Sequence, residues 1–277
     1  MSGGAPPLIT RALHDALLDA RAAGAATLEC SLDLGRSSGT VAVGPDGWSA
    51  GDRRYPYLEE CSERTIYHWT PAGFRPAARF GRALVKLVPT SWGPPTFEID
   101  GVKMLPTARV SPYEDALAKV ALVEPRGKMI LDTCGGLGYF AAGCLAAGAA
   151  RVLSFELDPD VLWLRTLNPW SPAPSPALKL TVGDVAAHLA GLPAASVDAV
   201  LHDPPRFALA GHLYAQSFYD GLARVLRGRG RLFHYTGAPN SRSRGRDLPG
   251  EVLARLGRAG FDARRHGDGV LAVKRDR

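Results

Sequence analysis

The run Leu131-Asp132-Thr133-Cys134-Gly135-Gly136-Leu137-Gly138-Tyr139-Phe140 constrains the fold more than any other part of the chain. An apolar stretch ends in an aspartate, three glycines follow, and a helix-forming run begins at once. Glycine tolerates the positive φ that a tight strand-to-helix turn demands, and its missing side chain lets a ligand approach the next helix closely. A bare glycine triplet occurs in many nucleotide loops, so the surroundings decide. From Ser111 onward strands and helices alternate. Ser111 is placed as an N-cap, with Pro112 at the first helical position and Glu114 and Asp115 in the first turn. Helices are expected over 112–122, 140–147, 158–167, 185–192 and 248–259, with one more ending across 224–228. Strands are expected over 129–132, 151–155, 178–182, 199–202 and 230–235, followed by a hairpin of 261–265 and 270–274. Such alternation predicts βαβ units and a parallel sheet.

The part before Ser111 has a different texture. Leu8, Ile9, Leu13, Ala16, Leu17 and Ala20 recur at helical spacing and predict one amphipathic helix over 8–23. Short β-rich runs follow at 28–34, 40–43, 65–69, 84–88 and 96–99, separated by Gly, Pro and Asp. The expected organisation is therefore a helix plus a small β-rich domain over 1–110 and a catalytic domain over 111–277. No stretch reaches the ~20 apolar residues of a membrane span. Met1 to Pro7 also lack the basic start and apolar run of a signal peptide. Both features point to a cytoplasmic protein without a membrane partner. Cys30, Cys61, Cys134 and Cys144 have no metal-ligand spacing, so reduced thiols and no metal are expected. The net charge of +6 raises the question of an acidic partner such as RNA. Yet the densest basic cluster, Arg242, Arg244 and Arg246, sits in a Ser/Gly-rich loop without interleaved aromatics. Nucleic acid is accordingly disfavoured.

The pattern Asp132-x-x-Gly135-Gly136-x-Gly138 fits the dinucleotide-binding form poorly and resembles the first motif of class I S-adenosylmethionine (SAM)-dependent methyltransferases. Glu156 ends the next strand, where an acid accepts hydrogen bonds from both ribose hydroxyls. Asp158 follows, at the start of a helix whose N-terminal turn also favours an acid. By the resemblance Asp184 receives the adenine amino group, a role compatible with capping the helix that begins at Val185. The resemblance implies an α/β, Rossmann-like class I methyltransferase sheet whose final strand is antiparallel. It also implies SAM as donor, held by Asp132, Thr133, Gly135, Gly136, Gly138, Tyr139, Glu156, Asp158, Asn168 and Asp184.

After the fourth strand, His202-Asp203-Pro204-Pro205-Arg206-Phe207 resembles the Asp/Asn-Pro-Pro-aromatic motif of methyltransferases acting on amino nitrogens. Two prolines fix a rigid turn, and the acid accepts hydrogen bonds from the amine and aims its lone pair at the sulfonium carbon. The reading in which Asp203 is a turn residue only was the weaker alternative. Arg206 stands where the aromatic is expected, with Phe207 one place later. An arginine there suits a carboxylate or phosphate better than a flat nucleobase. Asn168-Pro169-Trp170 and Leu213, Tyr214, Phe218 and Tyr219 are expected to line or cover the pocket, with core packing the alternative for each. Aromatic faces there attract a sulfonium by roughly 0.5–2 kcal/mol each. His234 and Tyr235 end the fifth strand, where Tyr235 could assist proton removal and His234 could do so or be a core residue. No cysteine occurs after Cys144, so covalent methylation of pyrimidine carbon 5 has no nucleophile.

From Lys86 to Lys274 the chain also resembles archaeal-type predicted methyltransferases with a Leu-Asp-Thr-Cys loop, Asn-Pro-Trp, His-Asp-Pro-Pro-Arg-Phe and Phe-His-Tyr-Thr-Gly. This resemblance supplies no substrate; the first hypothesis is methyl transfer to an amine of a small molecule, with catalysis by Asp203, Arg206, Phe207 and Tyr235. A resemblance to azetidine-2-carboxylate synthases of secondary metabolism offers the alternative, in which the α-amine of SAM attacks its own γ-carbon and methylthioadenosine leaves. Aminopropyl transfer ranks lower, because it wants a richer acidic pocket; RNA methylation and a non-catalytic SAM-binding module rank lower too. The partner is then a small molecule or SAM alone, with a homodimer left open.

Overall fold

Leu8 and Ile9 follow two prolines and form a strand instead of opening a helix. They pair antiparallel with His68 and Tyr67 and are buried. Thr10 is extended (φ −104°, ψ 165°) and its side chain accepts the Leu13 N–H at 3.3 Å, so the helix runs over Arg11–Ala22. The expected helix over 8–23 is thus shortened: strand pairing takes Leu8 and Ile9, and threonine supplies the cap. The computed structural model describes residues 6–207, 209–237 and 247–276. The cluster Arg242, Arg244 and Arg246 lies outside the described residues. Among the described residues no helix is long and apolar enough to cross a membrane.

The chain divides into two compact units, Met1–Tyr113 with Trp163–Trp170, and Glu114–Leu162 with Ser171–Arg277. The first unit carries the helix and three small antiparallel sheets. Thr27–Cys30, Gly39–Val43, Trp48–Ala50 and Arg53–Tyr55 form one of them. Leu8–Ile9 joins Tyr67–Thr70 and Gly73–Pro76 in the second. Ala78–Phe80, Leu84–Val88, Thr96–Ile99 and Val102–Lys103 form the third. Several of these strands have three residues or fewer, too short for an alternating pattern to emerge from sequence. Ile9, Leu13, Leu17, Val41 and Trp48 share one core cluster, and Trp48 stacks on Tyr55 with ring centroids 4.7 Å apart. Within the same unit the indole N–H of Trp170 donates to the Leu34 carbonyl at 3.1 Å. The Arg79 guanidinium lies 3.9 Å from the centroid of the Trp163 ring.

The second unit is built on a seven-stranded sheet. From Pro112 onward the elements are α1 (Pro112–Val123), β1 (Met129–Asp132), α2 (Tyr139–Ala146), β2 (Arg151–Glu156), α3 (Pro159–Leu167, divided between the two units after Leu162) and β3 (Leu178–Val182). They continue with α4 (Val185–Leu189), β4 (Val197–His202), α5 (Gln216–Val225), β5 (Leu226–Tyr235), α6 (Leu248–Arg258), β6 (Phe261–His266) and β7 (Gly269–Lys274). A 3₁₀ turn, Gly211–Tyr214, precedes α5. The strand order is β3-β2-β1-β4-β5-β7-β6. The first five strands are parallel, while β7 runs antiparallel between β5 and β6. This is the Rossmann-like class I methyltransferase sheet. Leu131, Phe155, Val200, Leu222, Leu232, Val252 and Phe261 pack into its core.

One boundary departs from the sequence reading. The helix expected to end across 224–228 stops at Val225, and β5 begins at Leu226 rather than at residue 230. Val197 pairs with Leu226 and Ala199 with Arg231, so β5 carries a bulge between these pairs. Arg229 sits within it at φ 58°, in the left-handed region that residues other than glycine rarely adopt.

Candidate active site at the carboxyl edge of the sheet

The edge formed by the carboxyl ends of β1, β2, β4 and β5 carries most of the residues singled out from sequence, while Asp184 follows β3 and Asn168 belongs to the first unit, and this edge has two different halves. At the β1–β2 half the turn is built by backbone. Gly136 and Gly138 have φ of 48° and 82°, which a side chain at either place would strain. The Gly135 N–H donates to the Phe155 carbonyl at 2.7 Å, and the Gly138 N–H to Gly135 O at 2.7 Å. Glu156 ties the loop to the next strand: one carboxylate oxygen accepts the Gly136 N–H at 2.8 Å, the other the Asp158 N–H at 3.0 Å. Burial raises the Glu156 carboxyl above its ordinary range, against the backbone donors that favour its charge. Asp132 is buried and accepts the Ser154 hydroxyl at 2.8 Å. Tyr139, also buried, opens α2.

The other acids of this half act as caps. Asp158 accepts the Asp160 N–H at 2.8 Å, in the first turn of α3. Asp184 accepts the Ala186 N–H at 2.9 Å as the N-cap of α4, and its other oxygen lies 3.1 Å from His212 Nε2. Asn168 belongs to the first unit, where its Oδ1 accepts the Trp170 N–H at 3.1 Å.

At the β4–β5 half the chemistry is carried by side chains. Asp203 follows β4, half-buried, and its carboxyl is pushed up to about 7, by burial first and then by Asp115, Asp268 and Asp132; Lys119 opposes them. Lys119, buried on α1, is bonded to Asp115 at 2.6 Å, lies 3.8 Å from Asp268, and sits 4.1 Å from the Tyr235 ring centroid. Burial, with Asp203, Asp268 and Asp115, raises the Tyr235 phenol, so it remains protonated near neutrality. Arg206 is exposed, and among the described residues its guanidinium has no ion pair. Phe207 is half-buried, its ring 5.3 Å from that of Tyr214.

Beneath this turn lies a floor of aromatic rings and two neutral histidines. His202 donates from Nε2 to the Leu213 carbonyl at 3.2 Å and accepts the Thr133 hydroxyl at Nδ1, 2.7 Å away. His234 donates from Nδ1 to the Tyr235 carbonyl and accepts the Tyr219 hydroxyl at Nε2, both at 2.9 Å. Their rings meet edge-on at 4.4 Å. The Tyr214 hydroxyl donates to the Pro205 carbonyl at 3.1 Å and thereby fixes the proline turn from below. Burial depresses both imidazoles, His234 to about 3. Of the two roles open to His234, the structure gives the core one. Tyr214, Phe218 and Tyr219 are likewise buried parts of this floor. Cys134 has its thiol pushed well up by burial and the nearby Glu156, which leaves it no nucleophilic character.

Lys119, Asp115 and Asp268 escaped the sequence reading. The signal for Lys119 was present: Ala116, Val120 and Val123 are buried at helical spacing on α1, and the lysine lies in the same stripe. A charge placed there needs partners. Asp268, in the β6–β7 turn, gave no such signal. Among the described residues no group of His, Cys, Asp or Glu is placed to hold a metal ion.

The sheet order and the ligand edge define a chain of the class I methyltransferase fold. It is 41% identical over 231 residues to the uncharacterized protein MJ1233 of Methanocaldococcus jannaschii, covering 81% of this chain and 79% of that one, and it belongs to the same family. Polyamine aminopropyltransferase 2 of Streptomyces coelicolor is 31% identical over 142 residues, 48% of this chain but only 25% of that enzyme's length. The crystal structure of spermidine synthase from Thermotoga maritima superposes with a TM-score of 0.56 at 12% identity, over 90% of this chain and 78% of that one. No protein-family model matches the chain.

Proposed function

We propose that the protein is a SAM-dependent transferase that directs an amine of a small molecule onto the methyl carbon of the sulfonium. The observation that carries this reading is Asp203, a partly exposed carboxyl set on a double-proline turn and poised at about 7. A base whose proton affinity matches the working pH is the most effective one. The residues present suit SAM: Glu156 is a half-buried acid where a ribose diol would lie, and the glycine turn leaves room for close approach. When bound, SAM supplies an electrophilic carbon. Asp203 accepts hydrogen bonds from the amine and then its proton; the N–C bond forms as the C–S bond breaks, and S-adenosylhomocysteine leaves. Tyr235, protonated and adjacent in charge, is an orienting donor, and Phe207 closes the turn. Neither a nucleic acid nor a membrane is needed as partner.

A second reading, aminopropyl transfer, draws support from the acidic corner of Asp115, Asp203 and Asp268. Such a corner suits a cationic polyamine, and the matched segment of the polyamine aminopropyltransferase points the same way. Product analysis by mass spectrometry separates the readings. The protein is incubated with SAM alone, with SAM and small amines, and with decarboxylated SAM and diamines. S-adenosylhomocysteine with a methylated amine is the expected result. Methylthioadenosine with a lengthened amine would replace it by aminopropyl transfer, and methylthioadenosine with azetidine-2-carboxylate from SAM alone by cyclisation. Bound SAM that reacts under none of these conditions would overturn the reading.

A further inference from the structure

The turn that carries Asp203 cannot hold itself. Pro204 and Pro205 have no N–H to give, so the segment after β4 must be fixed through its carbonyls and through side chains beside it. Both of its ends are tied, and to successive residues of one element. Before Asp203, the His202 ring donates from Nε2 to the Leu213 carbonyl at 3.2 Å. After Pro204, the Pro205 carbonyl accepts the Tyr214 hydroxyl at 3.1 Å. Asp203 and Pro204 therefore form a short arch whose two feet stand on the 3₁₀ turn Gly211–Tyr214. That footing is anchored outward as well. His202 Nδ1 accepts the Thr133 hydroxyl, 2.7 Å away at the start of the glycine loop. His212, on the same 3₁₀ turn, places Nε2 3.1 Å from Asp184 Oδ2.

Packing alone does not call for these polar groups. His202 and Tyr214 are buried among rings, with Phe218 5.0 Å from His202, and Phe207 and His234 each 5.3 Å from Tyr214. Apolar side chains of similar size would fill that space without the cost of burying an imidazole and a phenol. What the polar atoms add is directed bonds to three segments: the glycine loop, the 3₁₀ turn and the arch. We propose that His202 and Tyr214 are positioning residues for the reaction: by pinning both feet of the arch to the 3₁₀ turn, they hold the Asp203 carboxyl at one place toward the amine. The inference rests on the reading of Asp203 as the base toward an amine. Both residues act through Asp203 and take no proton from the substrate themselves. A displacement of about 1 Å at a reacting group costs about 10²-fold in rate, so small slack in the arch is enough to matter.

The test begins with Tyr214→Phe, which removes one hydroxyl and keeps the ring. Turnover with SAM and an amine should fall about tenfold or more in kcat, with SAM affinity by calorimetry within about twofold of wild type. His202→Leu should lose as much, and His202→Gln, whose amide keeps a donor for the Leu213 carbonyl, should recover most of it. A second readout needs no turnover. The Leu209 and Ala210 N–H groups bond the Arg206 carbonyl at 2.8 and 3.2 Å, just past the arch. In Tyr214→Phe their hydrogen exchange should quicken by about fivefold or more, while amides of β1 and β2 keep wild-type rates. Unchanged kcat in Tyr214→Phe would overturn the proposal. So would a loss of SAM affinity that matches the loss of kcat, or exchange that rises evenly across the sheet. If His202→Leu does not fold, Tyr214→Phe decides alone. A wild-type protein that turns over no SAM would remove the amine-alkylation reading. Quickened exchange confined to Leu209 and Ala210 would then still support the pinned arch, and unchanged exchange there would overturn it.

Discussion

The two halves of the ligand edge use the same residue types in opposite ways. At the β1–β2 half, Glu156, Asp158 and Asp184 each accept backbone N–H groups, so their charge is spent on shaping turns and starting helices. At the β4–β5 half, Asp115 and Asp268 flank the buried Lys119, and burial raises the Asp203 carboxyl to about 7. The first arrangement makes a rigid cradle, because backbone donors cannot move away. The second makes a group whose protonation changes near neutral pH. Under the proposed function, the cofactor-binding half and the reacting half would be told apart by what their carboxylates bond to.

The largest test of that contrast is Asp203→Asn. It should lower SAM-dependent turnover by about 10²–10⁴-fold, the usual contribution of a positioned base. SAM binding by calorimetry and the unfolding midpoint should stay close to wild type. A matching loss of SAM affinity would erase the distinction between the halves. Next comes acidification. His202 and His234 resist protonation in the folded protein, so the unfolded chain binds more protons below the ordinary histidine value of 6.5. Their contribution is complete above that pH and is lost as pH falls, at about 1.4 kcal/mol per pH unit for each ring. Urea unfolding between pH 7 and 5 would measure the net slope, in which the raised Asp203 carboxyl gains stability as pH falls and offsets about one ring, and hydrogen exchange should show the β4–β5 half opening first. Uniform opening would mean that the histidine floor does not set the weak side.

The smallest effects lie in the cradle. Glu156→Gln keeps the shape, but its amide nitrogen cannot accept one of the two backbone N–H groups and the other bond loses its charge, for a loss of about 1–3 kcal/mol in urea unfolding and a weaker SAM affinity. Asp158→Ala should remove about 1 kcal/mol as a lost cap and leave SAM affinity within about twofold. Should SAM affinity fall as far as in Glu156→Gln, Asp158 is a ligand to the ribose as well as a cap.

The sequence made the sheet legible because its cues are local. The glycine loop, the acid after β2 and the Asp203-Pro204-Pro205 turn are each short runs with a single stereochemical purpose. The β6–β7 hairpin, and with it the antiparallel strand, was readable for the same reason. What escaped depends on distance along the chain. Asp115, Lys119 and Asp268 meet only after the sheet has closed, and the β5 bulge depends on pairing with β4. Leu8 and Ile9 fitted a helical period, yet a strand 58 residues away claimed them, as Ile9 pairs with Tyr67. Pattern alone could not decide between a helix face and a buried strand of two residues.

The place of β7 also bears on how the protein is made. β5 carries the buried Leu232, Phe233 and His234 and lies between β4 and β7. During synthesis, β4 and β5 can associate as soon as they emerge, but the far side of β5 waits for residues 269–274. Through that interval the nascent chain offers a row of unpaired backbone groups beside an apolar face, the kind of edge that recruits other strands. Gly269 makes the late insertion tight, since a Cβ there would come 2.5 Å from the His234 carbonyl oxygen. Yield in the cell should therefore depend on chaperone capacity during the interval between synthesis of β5 and of β7.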